Sequence, residues 1–549
     1  MQLVNHFKNT FTNIIKDTSL MSRKTRIQWN NSDKQQMANR MSNKSIEVDT
    51  YNVNSNGTNN KSVNSDLYQA VFPIYYLSKL SGVFPTRFVG QISGRYQGRL
   101  SVIDSIYSVC LLVSLISAEI WGFWRDLRDG WEHSTRLKSQ NAIIVTTSDV
   151  MGIMSLTASS IIGSILCWKH VRTIIDKLVD DTALRIKYRS APHYFLPPRS
   201  SPPRSHANTY VCASCDEKLG IVSPKKIRRY TILLTLCSLL YSIIISCLDI
   251  YIWNYETKLN RKLNDKGPIN YVPLYFMYIV IIMMEVQYAV IVYNVSQRFC
   301  RLNKNLENIF NSGRITDQFK KDLGLACNDL NLNKCYPRHD PEQHSRGFSR
   351  RSNNLHGKSF TDNISQLMTV HASLCDTVML INTAYGVVAL MITITCLIHL
   401  IITPYFLIME ADGKREPLFL AVQGLWCIFH IWRLFMIVQP TYAATTQGKK
   451  TTVLISQLLT MSSNKESRKQ LEIFSLQLLH RPLEFSACGL FTLDRTLVTS
   501  IAGAVTTYLV ILIQFQKEDD TKDNFDNILK NATQMLKNAS TLHNFSAGR

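Results

Sequence analysis

Charge is scarce in this sequence, and so are the patterns associated with catalysis. Asp, Glu, Lys and Arg make up 18% of the 549 residues, against 46% hydrophobic, where an average soluble chain carries about 25% charged residues. Acids are the scarcer sign, 40 against 61 Lys and Arg, which leaves a net charge of +21. No His-Glu-x-x-His, Gly-x-Ser-x-Gly or Walker loop occurs. That removes the signatures of zinc peptidases, α/β-hydrolases and P-loop NTPases, and leaves a membrane enzyme as a minor alternative. His356 sits among Asn353, Asn354 and Lys358, a polar setting that suggests a loop rather than a site. No basic helix is interleaved with aromatics, so the positive charge does not indicate nucleic acid.

Other absences narrow the class further. Met1–Asp17 lacks the compact apolar core of a signal peptide. The 13 cysteines are scattered, and Cys110, Cys167, Cys237, Cys247, Cys396 and Cys427 lie inside hydrophobic runs. A secreted disulfide scaffold is therefore not indicated. Cys212-Ala-Ser-Cys215 is a lone C-x-x-C, and Cys327 and Cys335 are poorly spaced to complete a zinc site. The sequence implies no metal and no cofactor.

What the chain does have is long hydrophobic runs separated by strongly polar stretches. Seven are long enough to cross a hydrocarbon layer of roughly 30 Å: 101–124, 141–168, 230–253, 271–295, 375–410, 417–441 and 493–516. The fifth is longer than a membrane needs, so its start is expected to project into the cytosol. The reading is an all-α integral membrane protein with seven transmembrane helices. Lys and Arg near the span ends set its orientation. Arg87, Arg95 and Arg99 precede the first span, and Lys169, Arg172 and Lys177 follow the second. Lys225, Lys226, Arg228 and Arg229 precede the third, Arg298, Arg301 and Lys304 follow the fourth, and Lys449, Lys450, Lys465, Arg468 and Lys469 separate the last two. The N-terminus is then cytosolic and the C-terminus extracellular, although Lys258, Arg261, Lys262 and Lys266 dilute the bias.

The polar stretches divide the chain. Residues 1–66 read as a disordered cytosolic tail, rich in Asn, Ser, Lys and Thr. A juxtamembrane segment and the first four spans occupy 67–310, with a Pro- and Ser-rich insert at 191–219. A second polar loop, 311–365, reads as disordered and cytosolic. The last three spans occupy 366–516, with the amphipathic 470–479 as a cytosolic helix before the seventh. Residues 517–549 form an extracellular tail with acceptor sequons at Asn531, Asn538 and Asn544. Similar triplets at Asn43, Asn56, Asn60 and Asn363 fall in cytosolic segments, so the sequons alone do not fix the topology.

The seventh run, LDRTLVTSIAGAVTTYLVILIQFQ, is more than an anchor. Ser500, Ala502, Gly503, Ala504, Thr506 and Thr507 are small enough for close helix approach. At about 3.6 residues per turn, Ala504, Tyr508, Ile511 and Phe515 share a face flanked by Thr507 and Gln514. Thr507-Tyr508, five aliphatics, then Gln514-Phe515 resembles the C-terminal signature of insect gustatory receptors. Phe485-Ser-Ala-Cys-Gly489, Asp494–Ser500, Leu425–His430 and Cys396–Tyr405 resemble the fructose-receptor branch of that family. Leu509 stands where the common sugar-receptor clade has Glu, which argues against that clade. The resemblance covers roughly 74–171, 228–311 and 366–516.

Ionisable groups inside spans are expensive and are functional candidates by default. Asp149 lies in the second span, Glu285 in the fourth, His399 in the fifth, and His430 and Arg433 in the sixth; Asp104 and Glu119 sit near the ends of the first. With the orientation above, Asp149, His399, Thr403, Tyr405, Gln423, Trp426 and His430 fall in or near outer halves. They could converge on a pocket open to the outside. Carboxylate, amide and imidazole suit hydroxyls, and an indole face suits the C–H side of a sugar ring. The bland reading is structural polar contact between helices.

The resemblance implies a homotetrameric, ligand-gated, non-selective cation channel in the plasma membrane, opened by fructose or a related sugar. Each subunit would give its seventh span to a central pore, with Ile511, Gln514 and Phe515 as ring-forming gate residues. Cations and membrane lipid are the other partners. The alternatives are a channel for bitter or other non-sugar tastants, and a G-protein-coupled receptor, whose N-terminus would lie outside.

Overall fold

The computed structural model describes residues 74–90, 96–128, 140–187, 224–259, 271–329, 345–411, 417–462 and 464–514, with 530 and 533–534 beyond. The tail 1–66, the insert 191–219 with Cys212 and Cys215, Cys335, Phe515, and the sequons at Asn531, Asn538 and Asn544 lie outside the described residues.

A short helix over 74–80 leads into an antiparallel hairpin of β1 (Thr86–Gly90) and β2 (Tyr96–Leu100), registered Thr86 to Leu100. Then come α1 (Val102–Arg128), α2 (Gln140–Leu166), α3 (Trp168–Lys187), α4 (Pro224–Leu259), α5 (Val272–Asp329), α6 (Ser345–Ala411), α7 (Pro417–Met461) and α8 (Lys465–His480). A two-residue-stranded hairpin, β3 (Ser486–Ala487) with β4 (Phe491–Thr492), precedes α9 (Arg495–Gln514). Seven of these helices, α1, α2, α4, α5, α6, α7 and α9, are long and apolar enough to cross a membrane. They correspond one to one with the seven runs in the sequence.

Asp104, near the start of α1, is not left to reach for water. It is buried, 2.9 Å from Lys79 Nζ and 3.0 Å from Arg87 Nε, and so ties α1 to the short helix and the first hairpin. The stretch 311–365, expected as a loop, is helical where described, because α5 runs to Asp329 and α6 starts at Ser345. A polar helix has the same composition as a polar loop. Pro337 and Pro341, the two prolines of that stretch, lie outside the described residues.

Hydroxyls along α2 are satisfied locally. Thr157, Ser160 and Ser164 each donate to the carbonyl four residues back, at 2.7–2.8 Å, so they cost little in apolar surroundings. Burial then separates the spans: 89% of the most apolar stretch of α5 is buried, against 6% for α9. A helix that is apolar all round belongs in the centre of a bundle, and α5 is that helix here.

The most extensive helix pair is α5 with α7. Arg433 Nε donates to Glu285 Oε1 at 2.9 Å, and neither side chain reaches solvent. Thr451 Oγ1 donates to Asn303 Oδ1 at 2.6 Å. Both pairs are separated by 148 residues, and so are Tyr278 and Trp426, whose rings meet at 5.1 Å. A constant separation means the two helices run parallel and in register over some 25 residues, or about 37 Å of helix.

The chain end of α7 is fixed by α8 and the second hairpin. Asn464 caps α8, accepting from Glu466 N at 3.1 Å, and Ser467, Leu471 and Phe474 form its buried face. Leu471 and Phe474 meet Leu302, Leu306, Ile364, Leu454 and Leu458 in a separate apolar cluster. Asp376 of α6 accepts from Lys177 at 3.2 Å and from Arg481 at 2.9 Å, joining α3, α6 and the end of α8. The β3–β4 turn has Cys488 at φ 53° and Gly489 at φ 73°. Two successive left-handed residues are what a tight hairpin needs, and glycine takes that conformation without strain.

Removing one member of a buried ion pair costs about 3–5 kcal/mol, whereas replacing both by apolar residues is often neutral. Arg433→Met alone should therefore abolish most of the monodisperse protein in size-exclusion profiles, and Glu285→Met with Arg433→Met should restore it. Equal recovery of the single and double variants would show that the pair does not hold α5 to α7.

Candidate functional site

One polar cluster lies inside the bundle toward the start of α5, and four spans build it. His399 of α6 points its Nδ1–H at the carbonyl of Thr395, one turn back, at 2.5 Å. That bond fixes the tautomer and turns Nε2 toward α2, where Asp149 Oδ1 stands 2.5 Å away. Both ring nitrogens are thus engaged, Nδ1 by the Thr395 carbonyl and Nε2 by the Asp149 carboxyl. Tyr278 of α5 places its hydroxyl 3.4 Å from both Asp149 Oδ1 and His399 Nε2.

The rings beside this triad form a stack. His430 of α7 lies on His399, centroids 4.2 Å apart and planes 30° apart, and against Trp426 at 5.9 Å and 25°. Trp426 also meets Tyr278, and the Arg433 guanidinium lies 5.9 Å from the Tyr278 ring centroid. Trp426, His430 and Arg433 recur at three- and four-residue spacing, so one stripe of α7 supplies all three. His430 is 1% exposed, and its Nδ1 has no hydrogen-bond partner among the described residues. The cluster opens at Asp149, whose side chain is 28% exposed against 7% for His399.

Of the expected ligand residues, the structure brings together Asp149, His399, Trp426 and His430. Thr403 is buried one turn beyond His399, and Gln423 is half-buried one turn before Trp426. No hydrogen bond or ring contact among the described residues joins either of them to the triad. Tyr405 is half-buried two positions past Thr403. Tyr278, which closes the cluster, was not among the expected residues. A tyrosine in an apolar run reads as part of the span, and only its placement opposite Asp149 gives it a polar role.

The final helix presents a second set. Asp494 caps α9, accepting from Thr496 N at 2.9 Å and Leu497 N at 3.3 Å. The Thr496 hydroxyl donates to the same carboxyl and, as the main cause, holds it below the usual carboxylate range. Next to it the Arg495 guanidinium lies 3.8 Å from the Tyr442 ring centroid and donates to Gln439 at 3.3 Å. Thr441 Oγ1 donates to the Leu493 carbonyl at 2.5 Å. The start of α9 is thus fastened to α7. Further along, Ile501 packs with Leu400, Leu434 and Val438, and Leu497, Val498 and Val505 join them. Thr507, Tyr508, Ile511 and Gln514 are exposed on the rest of the helix. Thr507 spends its hydroxyl on the Gly503 carbonyl at 3.0 Å.

Comparison with known proteins agrees with this architecture. The 7tm Chemosensory receptor family profile matches residues 214–519. The chain is 27% identical over 464 residues to "Gustatory receptor for sugar taste 43a" of Drosophila melanogaster, covering 82% of this chain and 99% of that protein. It is 35% identical over 176 residues to "Putative gustatory receptor 28a" of the same species, covering 30% and 39%. Among solved structures, the insect olfactory receptor OR5 from Machilis hrabei superposes with a TM-score of 0.52 at 13% identity, over 82% of this chain and 98% of that one. The last comparison establishes a shared fold. Together with the seven candidate spans, the matches make this a multi-pass plasma-membrane protein.

His399 and His430 should differ in what they contribute to stability. His430→Phe keeps the ring stack and loses no bond at Nδ1, so it should change stability by less than about 1 kcal/mol. His399→Phe leaves the Asp149 carboxyl without its imidazole and should cost about 1–3 kcal/mol. Thermal unfolding of the purified protein separates the two, and a larger loss from His430→Phe would contradict the bonding described here.

Proposed function

We propose, because the chain belongs to the 7tm chemosensory receptor family, that it is a gustatory receptor acting as a ligand-gated, non-selective cation channel opened by fructose or a related sugar. The observation that carries the ligand reading is Nδ1 of His430, which has no hydrogen-bond partner among the described residues and is buried beside the His399 imidazole, the Tyr278 phenol and the Trp426 indole. A buried polar atom without a partner favours a ligand that supplies one. A sugar hydroxyl can donate to it, a second can compete for Asp149 at the open edge, and Trp426 and Tyr278 offer ring faces to the C–H side. The likeness to a receptor named for sugar taste supports the same ligand class.

The channel part of the reading rests on α9. An apolar span that buries so little within one chain is completed by other copies. Four copies would set Tyr508, Ile511, Gln514 and Phe515 around a shared axis. Rings of Ile511 or Phe515 can close a narrow pore by dewetting, and Gln514 can offer amide oxygens to a passing ion without charge selectivity. The basic residues near the span ends support a cytosolic N-terminus and an extracellular C-terminus. In that orientation the Asp149–His399 cluster faces the outer side.

A panel of sugars and bitter compounds on cells expressing the chain alone tests the ligand class. Fructose should evoke current, and a response to bitter compounds with none to any sugar would transfer the channel to a different ligand class. In the same cells, Trp426→Ala and Asp149→Ala should each move the fructose dose response by about tenfold, the loss of roughly 1.4 kcal/mol of binding. An unchanged dose response in both, at normal surface expression, would place the pocket elsewhere.

For the pore, Phe515→Ala should raise current without ligand, and Gln514→Glu should alter cation permeability or block. Unchanged leak and permeability in well-expressed variants would move the conduction path away from α9.

A further inference from the structure

The first hairpin carries a charge arrangement that the bundle does not balance. In the β1–β2 register Arg87 stands directly opposite Arg99. Side chains so paired leave the same face of the sheet, with Cβ atoms about 5 Å apart, and like charges in that position are destabilising. An anion between them removes the repulsion. Asp104 answers only one of the two. It accepts from Arg87 Nε at 3.0 Å and Nη2 at 3.4 Å, and it also holds Lys79 at 2.9 Å. Arg99 is exposed, and its guanidinium has no ion pair or hydrogen bond among the described residues.

The other face of the hairpin is already occupied. Phe88 packs on Tyr75 and Phe84, with ring centroids 5.2 and 5.8 Å away. A Cβ added to Gly98 would lie 3.7 Å from the side chain of Arg172 on α3. The arginine face, apart from its bond to Asp104, is therefore the one turned away from the helices, and the Arg87 side chain is 50% exposed.

What borders that face is apolar and bare. Val102, Ile103 and Ile106 of α1 and Leu80 of the short helix are 58–69% exposed. The Tyr107 hydroxyl donates to the Leu80 carbonyl at 2.7 Å, so α1 and the short helix present these side chains together. Only 22% of the most apolar stretch of α1 is buried. Apolar side chains exposed on a span meet acyl chains, and arginine at its end reaches the headgroup level.

The geometry points to a binding site for an anionic phospholipid, its phosphate between Arg87 and Arg99 and its acyl chains along Val102, Ile103 and Ile106. A guanidinium bonds a phosphate through two parallel N–H groups. Arg87 keeps Nη1 for this, and Arg99 keeps its whole fork. Both halves of the site define the ligand. The arginines alone suit free phosphate, and the apolar flank alone suits any lipid. A choline headgroup would bring a further cation against the pair. The inference holds for either leaflet and for whatever ligand opens the protein.

Native mass spectrometry of the purified full-length protein in uncharged detergent tests it, with dioctanoyl phosphatidic acid, dioctanoyl phosphatidylcholine or inorganic phosphate as titrant. Phosphatidic acid should bind tightest. Arg99→Gln, which breaks no bond described here, should weaken that binding by about tenfold, the worth of one charged hydrogen-bonded contact. Arg99→Lys, which keeps the charge without the fork, should recover part of it. Lys449→Gln, which removes an exposed charge on α7, should change nothing. Equal binding of the two lipids would mean an apolar surface without a phosphate site. Inorganic phosphate bound as tightly as phosphatidic acid would mean an ion site without a lipid. Undiminished binding in Arg99→Gln, or the same loss in Lys449→Gln, would remove the arginine pair from the site. Each of these results overturns the proposal, and none bears on gating by sugar.

Discussion

The bond between Arg433 and Glu285 is the constraint on which the rest of this bundle depends. A full charge at bilayer depth persists only when it is paired and hydrogen-bonded. Arg433 is wholly buried and finds its partner on α5. That choice fixes the axial position of α7 against α5, and the side chains at other heights follow. Seven residues earlier, or two helical turns, Trp426 meets Tyr278; eighteen residues later, Thr451 meets Asn303. A slip of one residue would undo all three pairings together. The ring stack of His430 on Trp426 and His399 is therefore set by an ion pair at the inner edge of the same α7 stripe.

The two ends of the bundle are then treated differently. Around His399 the contacts are aromatic and shared between four helices, with one edge open at Asp149. Around α8 the contacts are ionic and capped: Asp376 with Lys177 and Arg481, Asn382 with the Glu484 carbonyl and the Ser486 amide, and Asp494 at the head of α9. This second set holds the chain on both sides of the β3–β4 hairpin, so α9 is fastened at its base, packs on α6 and α7 as far as Val505, and is largely exposed beyond it. An element anchored over its first half and exposed over the rest suits a pore helix whose partners are other copies, on the function proposed above.

Much of this was legible in the sequence, for a physical reason. Lipid-spanning segments must satisfy their backbone internally and be apolar throughout, so hydropathy alone marked seven helices. Asp149, His399 and His430 stood out because ionisable groups are costly in such segments. Trp426 joined them through its ring chemistry. Other features were hidden. Tyr278 resembles its apolar neighbours until a carboxylate is found opposite it. The in-register pairing of α5 with α7 depends on a long-range match, Glu285 with Arg433, that no local pattern encodes. The helical extensions of α5 and α6 into 311–365 were masked by their polar composition. The hairpin before α9 was visible only as the motif Phe485–Gly489, and its left-handed turn at Cys488–Gly489 supplies the reason for that motif.

On the function proposed above, this chain by itself couples a sugar to an ion path. Purified full-length protein reconstituted into liposomes, with no G protein present, tests it directly through cation flux on addition of fructose to the side bearing the C-terminus. Flux should rise with fructose and be absent from empty liposomes. Folded, inserted protein that shows no flux with any sugar would contradict this.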